Sequence, residues 1–186
     1  MDDRHLIREI QNGRKEYLQE IAVKYYDDIY HFCCYQTGNT EDSHDLAQET
    51  FLRFIKYVEN YRYRNLKGYL LTIAMNVCRD FHTGRKKADW YETHEEPEEW
   101  EQRADTSPGT APEEAAVNAD LARCLLNGLK QLPDMQREAI VLHYYYDMKF
   151  REIGRLSGVS TATAKSRVRQ GMDKLKRILE HDGNEF

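Results

Sequence analysis

The chain has no apolar run long enough to cross a bilayer, and its opening MDDRHLIREI is charged where a secretory leader would be apolar, so a cytoplasmic protein is expected. Cysteine is scarce. The four present, Cys33, Cys34, Cys78 and Cys124, show no framework spacing, which excludes a disulfide scaffold and predicts reduced, buried thiols. Proline is equally scarce at four, three of them (Pro97, Pro108, Pro112) in one acidic stretch, so little interrupts the helical periodicity that runs through the rest. An all-α protein is predicted. Positive charge is in overall deficit, with 27 Lys and Arg against 32 Asp and Glu. A uniformly basic nucleic-acid coat is thereby excluded, and any phosphate-binding surface has to be local. At 186 residues and 40% hydrophobic content, the chain holds one domain or two small ones, each with a modest core.

What positive charge there is collects near the C-terminus. Between Lys165 and Arg177 the cations Lys165, Arg167, Arg169, Lys174, Lys176 and Arg177 face a single acid, Asp173. Upstream, KFREIGRLSGVSTATAKSRVR (149–169) reads as a helix-turn-helix. Ile153 and Leu156 give the first helix an apolar side, Gly158 permits a sharp turn, and Val159 fills the elbow. Ser160 is placed to cap the second helix. From there Ala164, Val168, Met172, Leu175 and Ile178 recur at steps of four and three, forming one buried stripe. Thr161, Thr163, Lys165, Ser166 and Arg169 project the other way, at the end of a recognition helix that reaches bases and phosphates. A surface hairpin with a solvated basic face fits the same pattern, and the concentration of cations in an acidic chain favours DNA.

From the N-terminus, Leu6, Ile7, Ile10, Tyr17, Ile21, Tyr25, Ile29 and Phe32 predict one long amphipathic helix, ended by the turn cluster Thr37-Gly38-Asn39. Acidic Glu41 and Asp42 suit the start of the next helix, whose buried side is Leu46, Ala47, Thr50, Phe51, Phe54, Ile55 and Val58. Asp45, Gln48, Glu49 and Arg53 share another face, and pattern alone leaves a solvated stripe and a docking surface equally open. YRYRN (61–65) interleaves rings and cations, which serves a core cap or a single-strand stacking platform. A further helix places Leu70, Ile73, Ala74, Val77, Cys78 and Phe81 inside and Lys67, Asn76 and Arg79 outside, and runs into the basic Arg85, Lys86 and Lys87. Between Ala88 and Asp120 the glutamates crowd around Arg103, the one cation there, and TSPGTAP (106–112) has nothing to bury. A flexible acidic linker is expected. Helical pattern resumes by Glu113 with Ala116, Leu121, Cys124, Leu125 and Leu129, and Pro133 opens another helix carrying Met135, Ala139, Ile140, Leu142 and His143. The run Tyr144 to Tyr146 is expected to pack the small C-terminal core.

Taken together, these segments resemble the sigma-70 family of bacterial transcription initiation factors, in its compact extracytoplasmic-function type. EDSHDLAQETFLRF (41–54) is similar to the family's polymerase-binding helix, YLLTIAMNVCRDF (69–81) to its promoter-melting helix, and LPDMQREAIVLHYYYDMKFREIGRLSGVSTATAKSRV (132–168) to its upstream-element domain. The resemblance implies two small helical domains, residues 1–88 and 113–186, joined by the acidic linker 89–112, which would thread a polymerase channel otherwise used by RNA. It implies that Asp45, Leu46, Gln48, Glu49, Phe51 and Arg53 dock on the clamp coiled coil of the largest subunit of core RNA polymerase. Tyr61, Arg62, Tyr63, Arg64 and Asn65 would hold a base flipped from the −10 element, with Lys67, Asn76, Arg79, Arg85, Lys86 and Lys87 along that element and its backbone. Ser160, Thr161, Thr163, Lys165, Ser166, Arg167 and Arg169 would read the −35 element. Promoter DNA, double- and single-stranded, and an anti-sigma antagonist, commonly membrane-bound, are the other implied partners. No catalytic residue, cofactor, metal or small-molecule substrate is implied, since RNA synthesis belongs to the polymerase.

Three positions depart from the family pattern W-L-x-x-I-A-R-N and its neighbours. Tyr69 stands where Trp is common and keeps an aromatic anchor; Met75 stands for Arg and removes a cation from the expected backbone contact; Ala164 replaces a commoner Val. The loop YRYRN is bulky where the family is often rich in Gly and Ser. Two other function classes share parts of the pattern. An autonomous regulator binding an operator as a homodimer would use the same helix-turn-helix, but needs neither the Asp45 to Arg53 face nor the aromatic-cationic loop. A metal enzyme or sensor would draw on His31, Cys33, Cys34, Cys78 and His82, with Cys78 and His82 one helical turn apart.

Overall fold

The computed structural model describes residues 2–62, 65–84 and 112–182, with side chains omitted at 112–119 and 182. Every regular element among the described residues is helical, and the chain divides into two compact units, Met1–Glu92 and Thr93–Phe186. The acidic segment up to Ala111, together with Tyr63, Arg64, Arg85, Lys86 and Lys87, lies outside the described residues; its last residues, from Pro112, are already helical.

The N-terminal unit contains α1 (Asp3–Gln11), α2 (Tyr17–Thr37), α3 (Thr40–Tyr57), a 3-10 turn (Val58–Asn60) and α4 (Leu66–His82). The single long helix expected over its first third is two helices. Gly13 takes φ +92°, a backbone that continues no right-handed helix, and the chain restarts at Tyr17. α1 then lies back on α2 through Leu6, Ile7 and Ile10, and Asp3 accepts from Tyr25 Oη (2.5 Å) and pairs with Lys24 Nζ (2.6 Å). The α2–α3 turn follows the sequence: Gly38 closes α2 at φ +62°, and Asn39 Oδ1 accepts from the backbone N–H of Glu41 (2.9 Å) and Asp42 (3.2 Å). α2, α3 and α4 pack on one another around Ile21, Ile29, Phe32, Phe54, Leu70, Leu71 and Ala74. Ile55, expected inside, is 45% exposed. Met75 is fully buried, so this position faces the core and not a DNA backbone.

The C-terminal unit contains α5 (Pro112–Lys130), α6 (Asp134–Tyr144), α7 (Phe150–Ser157) and α8 (Thr161–Asp182), with α8 packed against the other three. Leu129, Leu132, Ala139 to Leu142, Ile153, Ala164, Val168 and Leu175 form its core. α8 approaches its neighbours closely because glycines face them: a Cβ on Gly171 would stand 2.7 Å from Ile140 Cδ1, and one on Gly128 2.8 Å from Leu175 Cδ1. Pro133 sits one residue earlier than expected, at the N-cap of α6. Leu121, Leu125 and Met135, expected inside, are exposed, and so are Tyr144 (62%) and Tyr145 (45%), which do not pack the core. The chain leaves α6 at Tyr145, so the tyrosines fall beyond the last turn that α7 and α8 cover.

Candidate nucleic-acid and protein interfaces

On α3, Asp45 and Gln48 are exposed, while Glu49 and Arg53 are half-buried. Arg53 Nε donates to Glu49 Oε1 (2.7 Å), and Arg53 Nη1 donates to Asp80 Oδ2 (3.0 Å), tying α3 to α4. Burial works against the guanidinium's charge, yet its bonds to Glu49 and Asp80 outweigh that and push its pKa up. Arg53 is thus held inside an acid–base–acid row, and Asp45 is the acid that this row leaves at the rim. Leu46 and Phe51 are buried beneath this face, Leu46 forming part of the floor of its groove and Phe51 packing below it. Leu52, which the periodic reading passed over, is 62% exposed and lines with Asp45, Glu49, Arg53, Val77 and Asp80 a groove of about 570 Å³. Asp80 was missed as well. It lies 27 residues from Arg53, and the one local signal is that it follows Asn76 by one helical turn.

On the α2 side of the same face the rings stack. Tyr30 lies 4.3 Å from His44 centroid to centroid, Tyr26 Oη meets His44 Nδ1 at 2.9 Å, and Tyr26 stacks at 6.1 Å on Phe51. Burial, with a hydrogen bond from the Cys34 side, pushes the Tyr30 phenol up, so it stays protonated and presents a neutral aromatic edge.

The loop between α3 and α4 is pinned at both ends. Asn65 caps α4, its Oδ1 accepting from Gly68 N–H at 3.0 Å. Tyr61 stacks on Tyr69 at 4.4 Å and 22°, and Tyr69 meets Phe54 edge-on at 6.3 Å, so one ring leads from the core to the next at the surface. Arg62 is exposed. Along α4, Lys67 Nζ pairs with Asp28 at 2.8 Å, Asn76 is exposed and Arg79 is half-buried.

In the C-terminal unit the helix-turn-helix is built as its residues dictate. Gly158 takes φ +66°, and Val159 N–H donates to Gly154 O at 2.9 Å. A Cβ on Gly154 would stand 2.8 Å from the Val159 carbonyl oxygen, so no side chain fits inside the turn. Ser160 Oγ accepts from Thr163 N–H (3.0 Å), the expected cap. Glu138, itself buried, accepts from Ser157 Oγ (3.0 Å) and fixes the end of α7 to α6. Thr161, Thr163, Lys165 and Arg169 are exposed; Ser166 and Arg167 are half-buried, with Ser166 Oγ receiving Gln170 Nε2 at 2.9 Å. The exposed donors therefore gather in the first turns of α8, with Thr161, Lys165 and Arg169 along one side and Thr163 apart from them, where backbone N–H groups and the helix dipole also favour phosphate.

Cys33, Cys34 and Cys78 are buried, with Cys33 and Cys78 Sγ 3.9 Å apart. Hydrogen bonding between those two thiols, then burial, pushes the Cys33 thiol well up. Among the described residues no three His, Cys, Asp or Glu side chains gather as a metal site requires.

Two family models match the chain, Sigma-70 region 2 over residues 21–88 and Sigma-70 region 4 over residues 122–175. The chain is 29% identical over 184 residues to the ECF RNA polymerase sigma factor SigW of Bacillus subtilis, covering 93% of this chain and 94% of that one. In fold it is similar to CnrH, solved in complex with the cytosolic domain of CnrY, with a TM-score of 0.70, 19% identity and 97% and 98% of the two chains covered. It is also similar to the sigma factor RpoE of Bartonella quintana, solved in complex with the anti-sigma factor NepR, at a TM-score of 0.65 and 21% identity, covering 89% of this chain and 98% of that one.

Proposed function

Since the chain belongs to the sigma-70 family, as a factor of the extracytoplasmic-function type, we propose how its two units divide the work of starting transcription. The protein is a transcription initiation factor: it binds core RNA polymerase and directs it to promoters. In our reading residues 1–88 dock on polymerase and open the −10 element, residues 113–186 read the −35 element, and residues 89–112 connect them. The observation that carries this division is the pairing, in one chain, of a capped helix-turn-helix with a second unit that presents an acidic α3 face beside an aromatic loop. A homodimeric operator-binding regulator requires only the first, and no observation favours it.

Docking is assigned to Asp45, Gln48 and Glu49 with exposed Leu52, over the support of Leu46, Phe51 and Arg53. Duplex contact by Thr161, Thr163, Lys165 and Arg169, with Ser160, Ser166 and Arg167 beside them, sets the register on DNA. Tyr61 then offers a ring to an unstacked base, with Arg62 and Asn65 beside it and Lys67, Asn76 and Arg79 along the strand. Extruding a base costs a few kcal/mol, and stacking returns about 1 to 3 kcal/mol, so melting follows from preferential binding of the open strand. The chain itself carries out no covalent step, and it works in the cytoplasm, where polymerase and chromosome meet. An anti-sigma factor covering the polymerase-docking surface completes the reading; RpoE of Bartonella quintana, similar in fold, is solved in complex with the anti-sigma factor NepR.

The deciding experiment is run-off transcription from a genomic promoter library with purified core polymerase, with and without this protein. Discrete transcripts that require both are expected, and Asp45→Arg with Glu49→Arg abolishes them. Specific duplex binding by the protein alone, with no transcript, would overturn the assignment.

A further inference from the structure

Gln11, the last residue of α1, reaches a stretch of chain about fifty residues away. Its Nε2 donates to the carbonyl oxygens of Tyr61 (2.8 Å) and Val58 (3.0 Å) and stands 3.4 Å from that of Glu59. Three acceptors around one atom identify that atom as the amide nitrogen, and its two N–H groups serve the two nearer ones. These carbonyls belong to the 3-10 turn and the residue after it; Val58 O also accepts from Tyr61 N–H at 3.1 Å, and its second lone pair takes the Gln11 amide. The anchor behind Gln11 is firm, because α1 is fastened to α2 by Leu6, Ile7, Ile10 and the Asp3–Tyr25 bond. Two of the three contacts are exposed to water, where a hydrogen bond still biases a local conformation by about threefold to tenfold, enough to hold a short loop but a small share of the unit's stability. Their effect is geometric. They fix the backbone that carries Tyr61, and so fix its ring in parallel contact with Tyr69.

We infer that Gln11 is a positioning residue for base capture: its amide holds the backbone at residues 58–61 so that the Tyr61 ring is already docked on Tyr69 when an unpaired promoter base arrives. This rests on the assignment of Tyr61 to the −10 element. Without the clamp the loop samples other shapes and the base must pay for ordering it, which lowers affinity for the captured base and for no other part of the strand.

The test uses holoenzyme and fluorescent single-stranded oligonucleotides carrying the non-template −10 strand of a promoter mapped by run-off. Each base in turn is replaced by an abasic site. Unmodified holoenzyme is expected to lose about tenfold in affinity at the captured position. Gln11→Met keeps the length and loses the donors. It should bind the intact strand as weakly as the abasic one to within about threefold, while core binding, melting temperature and affinity for the abasic strand stay unchanged. Gln11→Lys restores N–H donors, and because its charge acts on both strands alike, the intact-to-abasic ratio should recover. An unchanged ratio in Gln11→Met, or equal weakening on both strands, overturns the inference. A flat abasic scan in unmodified holoenzyme overturns instead the assignment of Tyr61, and absence of transcripts overturns the sigma reading beneath both.

Discussion

Asp80 on α4 holds the guanidinium of Arg53 on α3 at 3.0 Å, while Glu49 holds it from the other side at 2.7 Å. The helix assigned to polymerase docking and the helix assigned to promoter melting are thereby joined by one shared cation, and Arg53, expected on the docking face, is a strut between them.

Breaking that strut is expected to loosen the N-terminal unit modestly. Both partners are about a quarter to a third exposed, so Asp80→Asn or Arg53→Met alone should cost about 1 kcal/mol. The double variant should cost less than the sum. A urea double-mutant cycle measures it, and strict additivity would show that the two do not interact.

Asp45 and Glu49 separate when affinity for core polymerase is measured beside stability. Glu49 is already paired with Arg53, whereas Asp45 stands exposed at the rim. Asp45→Arg should reduce affinity for core polymerase by about tenfold or more with an unchanged melting temperature, and Glu49→Gln should act on stability as well as on binding. Equal effects of the two on affinity alone would contradict the geometry.

Within the helix-turn-helix, Gly154→Ala places a methyl group 2.8 Å from a backbone carbonyl oxygen that has no rotamer to move. A loss of about 1 to 3 kcal/mol is expected. Gly158→Ala faces open space and suffers from its φ of +66° alone, so about 1 kcal/mol is expected there. Thermal unfolding of the full chain ranks the two, and the reverse order would mean that the turn relaxes around Gly154.

Lys165 and Arg169 are exposed on the assigned reading side of α8. If each neutralises one phosphate, Lys165→Ala and Arg169→Ala should each lower the salt dependence of holoenzyme binding to promoter duplex by about one unit of log–log slope. An unchanged slope would remove that residue from the DNA contact.

The buried thiols predict a pH effect of defined sign. The folded-state pKa of Cys33 and of Cys34 lies above the ordinary value of 9.0, raised for Cys33 by the bond with Cys78 and by burial, and for Cys34 by burial. Their contribution is complete below that value. Above it the unfolded chain loses protons that the folded chain keeps, so stability falls as pH rises. Denaturant midpoints should drop above about pH 9 and drop less in Cys33→Ala. In native protein the half-exposed Cys124 should react with iodoacetamide first.

What was legible in the sequence is what local chemistry decides. Gly38, Asn39, Gly158 and Ser160 each satisfy or release the backbone within three or four residues of themselves, so their roles could be read in place. The stripe Ala164, Val168, Leu175 repeats at a spacing that a helix imposes. The rest depends on which distant element arrives. Met75, Ile55 and Tyr144 are apolar or aromatic in any context, and only the packed neighbours decide that the first is covered and the other two are not. Gly13 gave the split between α1 and α2 no more emphasis than a glycine tolerated inside a helix would have. Gln11 and Asp80 act across long separations through one or two hydrogen bonds, which leave no period in the sequence to detect.

α8 sets its buried stripe and its exposed donors on opposite sides of the same 22 residues. Exchanging Thr161, Lys165 or Arg169 touches nothing that Ala164, Val168 or Leu175 supports, and surface changes of this kind alter stability by about half a kcal/mol at most. On the −35 assignment proposed above, a lineage carrying this helix would retarget its promoters by single substitutions that leave the core of this unit untouched. The cores of the two units keep the machine assembled while the genes it switches on are free to drift.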